Sequence, residues 1–147
     1  ASTIVGYDEE IAFARKIKKP GRKVGFISAF ATVKPELFLE AADFVIKGEP
    51  EQAAIEIAKG NLNPQGEIES PLIQNIETLP FPDWDGFPIH KYGYFPILKK
   101  KPLLSILTSR GCSFDCSYCP YMVIQTEKWR SRSAKHTAWF AGDPEYG

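Results

Sequence analysis

Val24-Gly-Phe-Ile-Ser-Ala-Phe-Ala-Thr-Val-Lys-Pro-Glu-Leu-Phe-Leu-Glu-Ala-Ala-Asp-Phe-Val-Ile46 is the stretch that decides the fold. Val24 to Ile27 is a short apolar run of the length a buried strand takes, bounded by Gly21 upstream and Ser28 downstream. Pro35 to Ala41 reads as a short helix with Leu37 and Phe38 inward, and Phe44 to Ile46 reads as the next strand. Upstream, Thr3 to Val5 is another short apolar run. Asp8 then stands where an N-cap belongs, with Glu9 and Glu10 in the first turn, complementing the helix dipole. Ile11, Ala14 and Ile17 supply an apolar stripe. Lys16, Lys18 and Lys19 load the C-terminal end before Pro20-Gly21 stops the helix. Downstream, Glu51 to Lys59 is a helix ended by Gly60-Asn61. Strands that alternate with helices imply a parallel sheet with right-handed crossovers, a doubly wound α/β arrangement over residues 1–60.

Residues 61–102 change character. Seven of the twelve prolines fall between Pro64 and Pro102, interleaved with Phe81, Trp84, Phe87, Tyr92, Tyr94 and Phe95. Proline interrupts helices and interior strands, so this stretch reads as an extended connection between domains. Its aromatics gain by lying on a neighbouring surface, which predicts a packed strap rather than a loose linker. Lys99 to Lys101 reads as a solvated turn. After Pro102, Leu103 to Leu107 reads as a strand, opening a third segment over 103–147. Ser133 is placed to cap a helix there, although residues 134–147 lack a clear amphipathic pattern and end in the turn-rich Gly142-Asp-Pro-Glu-Tyr-Gly147.

Composition narrows the class. The chain has 147 residues, is 44% hydrophobic, and balances 18 basic against 18 acidic side chains. A core can be buried at that composition. Zero formal charge gives no electrostatic reason to expect nucleic acid or a membrane surface as the main partner. No apolar run approaches the ~20 residues a membrane helix requires, and no basic-then-apolar signal segment opens the chain. Clustered thiols suit a reducing cytoplasm, which is the expected location.

All three cysteines lie in Cys112-Ser-Phe-Asp-Cys116-Ser-Tyr-Cys119. A disulfide framework calls for an even number, and a closed zinc site calls for a fourth ligand nearby. A cubane iron–sulfur cluster normally takes four thiolates, so three leave one iron open to an outside ligand. Cys112, Cys116 and Cys119 are therefore the candidate metal ligands.

The run Thr108-Ser-Arg-Gly-Cys-Ser-Phe-Asp-Cys-Ser-Tyr-Cys-Pro120 resembles the cluster loop of radical S-adenosylmethionine enzymes, including an aromatic, Tyr118, before the third cysteine. Two further segments resemble the branch with an N-terminal cobalamin-binding domain. Ala42-Asp-Phe-Val-Ile-Lys-Gly-Glu-Pro-Glu51 is similar to that domain's last strand and Gly-Glu turn. Leu79-Pro-Phe-Pro-Asp-Trp-Asp85 is similar to the connection that follows it. Together the resemblance spans roughly residues 4 to 133. It implies the second half of a Rossmann-like cobalamin domain (1–60), an inter-domain strap (61–102), and the first strand and cluster loop of a (β/α) barrel (103–147). A full barrel takes ~200 residues or more, so the chain reads as a fragment, inactive by itself.

The same resemblance implies a [4Fe-4S] cluster on the three cysteines. The amino and carboxylate groups of S-adenosylmethionine would chelate the fourth iron, and reductive cleavage would give a 5′-deoxyadenosyl radical. Tyr118 would lie beside the adenine, and Arg130, Arg132 and Ser133 near the nucleotide. Gly111 lets the backbone turn into the loop. Phe114 would shield the cluster from water, and Arg110 either offsets cluster charge or ends a strand in solvent. Gly48 and Glu49 would serve the cobalamin side, although the same pair suits a turn before an acidic helix N-terminus. Ser28 to Thr32 occupies the place of a glycine-rich turn, with the glycines replaced, and no histidine precedes His90. No residue is assigned as catalytic. The implied reaction is cobalamin-dependent methyl transfer, or a related radical transformation, on a small molecule or peptide, with an electron donor such as flavodoxin or ferredoxin.

Two other readings stay open. One is a radical enzyme whose N-terminal domain holds no cobalamin. The other is a non-catalytic zinc module, with His136 or His90 completing a Cys3His set. A ferredoxin-like carrier would need a fourth cysteine. Methylthiotransferases, which share the loop, carry further cysteines in their N-terminal domain.

Overall fold

The computed structural model describes residues 5–80, 82–92, 105–114, 116–119 and 128–140. Helix α1 (Tyr7–Ile17) begins earlier than expected: Gly6 takes the N-cap position and Asp8 stands inside the first turn with Glu9 and Glu10. Asp8 is thus not the cap. The three carboxylates still face the positive end of the helix, so their electrostatic role survives the shift. Ile11 and Ala14 are buried and Ile17 packs beside them, as the apolar stripe predicts.

Strands β1 (Gly25–Ile27), β2 (Phe44–Gly48) and β3 (Gly66–Ser70) form one parallel sheet in that order. Two helices, not one, connect β1 to β2: α2 (Ala29–Val33) and α3 (Pro35–Leu39). Pro35 at the start of α3 separates them, because its ring cannot donate to the preceding turn. Helix α4 (Glu51–Ala58) connects β2 to β3. Gly60 ends that segment at φ +78°, a conformation that favours glycine.

Alternate residues of β2 face opposite sides of the sheet. Val45 packs with Ile11, Ala14, Ala31 and Phe38 of α1, α2 and α3. Ile46 packs with Ala53 of α4 and Ile68 of β3. Helices therefore cover both faces, the arrangement a doubly wound sheet requires. Phe38 is fully buried, with the Tyr7 and Phe30 rings edge-on to it at 5.3 and 5.2 Å. Such edge contacts add to what burial alone contributes. Gly25 stands opposite Phe44 in the β1–β2 register, and a Cβ there would run into the Phe44 ring.

β3 falls inside the stretch expected as a strap. Its Glu67-Ile-Glu69 alternation puts Ile68 into the core, while Glu67 and Glu69 pair with Lys47 of β2 at 3.3 and 2.7 Å. The sheet thus continues past residue 60, and the proline-rich composition around it conceals a period-two strand.

The chain divides into two units, residues 1–74 with 111–129, and residues 75–110 with 130–147. In the second, 3-10 turns at Ile76–Thr78 and Ile89–Lys91 precede a short antiparallel ladder of β4 (Ser109–Arg110) and β5 (Arg130–Ser131), then helix α5 (Ala134–Phe140). Ile76 is buried, whereas Phe87 and Tyr92 remain exposed. Trp84 lies edge-on to Phe87 at 6.2 Å. The described aromatics of this stretch are thus only partly covered.

A barrel's first strand would pair in parallel with the next. Residues 105–108 take no strand pairing, Ile106 and Leu107 are exposed, and the ladder that does form is antiparallel. The described residues therefore do not display a barrel strand, because they supply no parallel neighbour to hydrogen-bond along its edge. Thr3, Ile4, Phe81, Tyr94, Phe95, Lys99 to Lys101, Leu103, Leu104 and the tail from Gly142 lie outside the described residues. Among the described residues no helix is long and apolar enough to cross a membrane.

Candidate functional site

Gly111 opens the cysteine loop at φ +82°, and a Cβ on it would collide with the carbonyl of Lys128. Two separate constraints thus demand glycine: the left-handed backbone and the absence of space. Since residues 111 and 128 abut, the stretch between them closes on itself. The Lys128 ammonium donates to Gln74 Oε1 at 2.9 Å, fixing one end of that closure to the rest of its unit.

Within the loop, the backbone N–H of Cys119 donates to the carbonyl of Cys116 at 2.9 Å. That bond makes a β-turn with two of the thiols at its ends. All three cysteines are unbridged and half-buried. Tyr118, at the turn's tip, is 86% exposed, and Phe114 is 71% exposed. Among the described residues, neither ring is packed away. Tyr118 presents a free ring face, which is what stacking on a ligand would use.

Among the described residues no three His, Cys, Asp or Glu side chains converge on a single-ion position. The thiolates of a cubane bind different irons at separate corners, so a cluster does not need them to meet at one point. Three unbridged thiols on one closed loop are a donor set that fits such a cluster with one iron left open.

The second unit contains Arg130, Arg132 and Ser133. Arg130 is buried, which its charge does not predict. Ser133 caps α5: its Oγ accepts the His136 N–H at 3.2 Å. Its own N–H donates to Glu77 Oε1 at 2.6 Å. The Ser133 hydroxyl and N–H hold the Glu77 carboxyl below the ordinary range, with His136 and Arg132 adding to the effect and burial opposing it. Arg132 donates to the Leu79 carbonyl at 3.5 Å and lies 2.9 Å from His136 Nε2. A guanidinium can only donate, so in this contact Nε2 is the side of the ring that faces a donor, and Nδ1 is the side turned to Glu77. That nitrogen lies 3.8 Å from the Glu77 carboxylate. Arg132, Ser133, His136 and Glu77 thus form one continuous polar network. Of its members, Arg132 and Ser133 were expected as cofactor contacts and His136 as a possible zinc ligand; Glu77 was not singled out. An acidic residue in the first turn after Asn75 gave no signal of a partner 56 residues away.

The remaining candidates lie at the carboxyl ends of the parallel strands, where open α/β sheets take their ligands. Gly48 ends β2 at φ +82°, and its N–H donates to Thr32 Oγ1 at 3.2 Å. Glu49 is 2% exposed, and its Oε2 accepts the Ile73 N–H at 3.1 Å. Glu49 thereby anchors the chain leaving β3. Ser70, at the end of β3, accepts the Ala53 N–H of α4 at 3.4 Å. In place of a glycine-rich turn after β1, Ser28 caps α2 by accepting the Ala31 N–H at 2.9 Å. The serine-before-helix pattern was legible there, had the segment not been read as a displaced glycine turn.

No protein-family profile matches the chain, and no solved structure matches it. Over 99 residues it is 31% identical to an uncharacterized methyltransferase of Pyrococcus horikoshii. That match covers 67% of this chain and 21% of the relative, so the chain spans about a fifth of that protein's length.

Proposed function

We propose that this chain is part of a radical S-adenosylmethionine enzyme that carries out methyl transfer, with cobalamin as the methyl carrier. The observation that carries the proposal is the closed loop, which bears Cys112, Cys116 and Cys119 unbridged and opens on a glycine whose positive φ and tight surroundings disfavour any side chain. Cys112, Cys116 and Cys119 would hold a [4Fe-4S] cluster, which when bound supplies the electron that opens a carbon–sulfur bond of S-adenosylmethionine. The protein's own contribution is to bind and orient. The exposed ring of Tyr118 is suited to stack on the adenine. The Arg132 guanidinium and the Ser133 hydroxyl are suited to the polar part of the nucleotide, whereas Arg130, being buried, would reach it only if its surroundings opened. Using Arg132 or Ser133 in this way would require them to share the bonds they make to His136 and Glu77.

Methyl transfer is supported by the likeness to a protein named as a methyltransferase. Cobalamin is supported by the parallel sheet with helices on both faces, whose carboxyl edge carries Ser28, Gly48 and Ser70. Glu49 is less suited to a cofactor contact, since its carboxylate is buried against Ile73. The substrate would be a small molecule or peptide, and the electron donor a flavodoxin or ferredoxin. For the zinc alternative, His136 could bind metal through Nε2 only by giving up the Arg132 contact.

Anaerobic reconstitution with iron and sulfide tests the proposal. Uptake of about four irons per chain, with a spectrum that changes on adding S-adenosylmethionine, is the expected result. Stoichiometric zinc that resists exchange for iron would overturn it.

A further inference from the structure

The amino ends of the strands carry a second feature, on the edge of the sheet opposite to Gly48 and Ser70. The turn between α1 and β1 and the residue before β2 border an open, solvent-facing cavity of about 440 Å³, lined by Lys18, Lys19, Pro20, Gly21, Arg22, Lys23 and Asp43. Four cations meet one carboxylate there, in a chain whose overall formal charge is zero.

Local structure brings the cations together. Lys19-Pro-Gly-Arg22 is a tight turn closed by the Arg22 N–H donating to the Lys19 carbonyl at 3.0 Å, with Gly21 at φ +78°. Proline followed by glycine with positive φ is the type II pattern, and it restricts where Lys19 and Arg22 can point. The Arg22 guanidinium donates to the Ile17 carbonyl at the end of α1 at 3.3 Å. Asp43 accepts the Val24 N–H at 2.9 Å and lies 3.4 and 3.9 Å from the Lys18 and Lys23 ammoniums. A single carboxylate thus draws two half-exposed lysines to one side of the cavity, and the turn places the backbone of Lys19 and Arg22 along the other part of its lining. Asp43 is held below the ordinary carboxylate range, first by the Val24 N–H and then, against burial, by Lys18 and Lys23.

We infer that this cavity binds the diphosphate group of a small molecule. Two sets of cations, three charges in excess of the carboxylate, and room for more than one phosphoryl group favour a multiply charged anion over a single carboxylate. The inference is independent of the cysteine loop and holds whichever metal that loop carries.

The test titrates the full chain with inorganic pyrophosphate at constant ionic strength and follows backbone amide resonances. Saturable one-to-one binding is expected, with shifts confined to residues 18–24 and 43. Lys19→Gln and Arg22→Gln are each expected to weaken binding about tenfold, the loss of one charge-assisted contact. Asp43→Asn should tighten binding by removing the competing charge. Because that carboxylate also accepts the Val24 N–H, the lysine and arginine variants carry the decision if the asparagine variant is misfolded. Shifts spread over the whole basic surface, no saturation, or unchanged affinity in both Lys19→Gln and Arg22→Gln would overturn the inference. Tighter binding to duplex DNA or to anionic vesicles than to pyrophosphate, with a steep salt dependence, would overturn it as well, in favour of a polyanion surface.

Discussion

The carboxylate of Glu77 accepts the backbone N–H of Ser133 at 2.6 Å, joining two residues 56 positions apart. Ser133 is at once the cap of α5, a Glu77 partner and a candidate cofactor contact. Arg132 beside it is tied to His136 and Leu79. A ligand that uses Arg132 or Ser133 would therefore act on an already organised network, and the position of α5 would follow the state of Glu77.

The pH dependence of this network follows from the sign of the Glu77 shift. Its pKa is lowered in the folded chain, first by the Ser133 hydroxyl and then by the Ser133 N–H. The stability it contributes is present above the unfolded glutamate value, about 4.3, and is lost as pH falls through the lower folded value. The Ser133 amide resonance should titrate with a midpoint below that of an ordinary glutamate, and the titration should vanish in Glu77→Gln. A midpoint at or above the ordinary value would contradict the network.

Gly111→Ala should deform the cysteine loop. The substitution places a side chain where φ is +82° and drives a Cβ into the Lys128 carbonyl. Strain of this kind costs about 1–3 kcal/mol. On reconstitution, the variant should bind markedly less iron than the parent chain, while the parallel sheet keeps its circular dichroism. Full iron uptake by Gly111→Ala would show that the loop does not need this turn.

Replacing any one of Cys112, Cys116 or Cys119 with alanine should abolish stable four-iron uptake, because each thiolate serves a different iron. Iron and sulfide analysis after gel filtration reads this directly. His136→Gln serves as the contrast: on the cluster reading it leaves metal content unchanged, and on a zinc reading it lowers it.

Glu49→Ala should destabilise the first unit. The substitution removes a buried carboxylate together with the part-buried hydrogen bond it accepts from the Ile73 N–H. The expected loss is about 1–3 kcal/mol, read as a lower urea midpoint. A midpoint unchanged within error would mean that the carboxylate contributes no net stability and is held in place for another purpose.

Phe38→Ala should be more severe, at about 3–5 kcal/mol, because the ring is fully buried and touches Tyr7, Phe26 and Phe30. A loss below 1 kcal/mol would mean that the surrounding rings close over the gap.

By itself the sequence determined the parallel α/β unit and the candidate metal ligands. Both are local signals: apolar runs of strand length separated by helices, and three thiols within eight residues. The need for glycine at position 111 was legible too, since a tight turn into the loop asks for it. Tertiary structure decided the rest. Only strand pairing placed β3 in the sheet, because Glu67-Ile-Glu69 is too short to outweigh the prolines around it. Only the fold gave Glu49 to Ile73 and Glu77 to Ser133, and gathered Lys18, Lys19, Arg22 and Lys23 around Asp43. Hydrogen bonds and ion pairs form between groups that chain folding brings together from distant positions, and their partners leave no periodic trace in the sequence. Periodicity records which face of an element is buried; it does not record what a polar side chain will meet there.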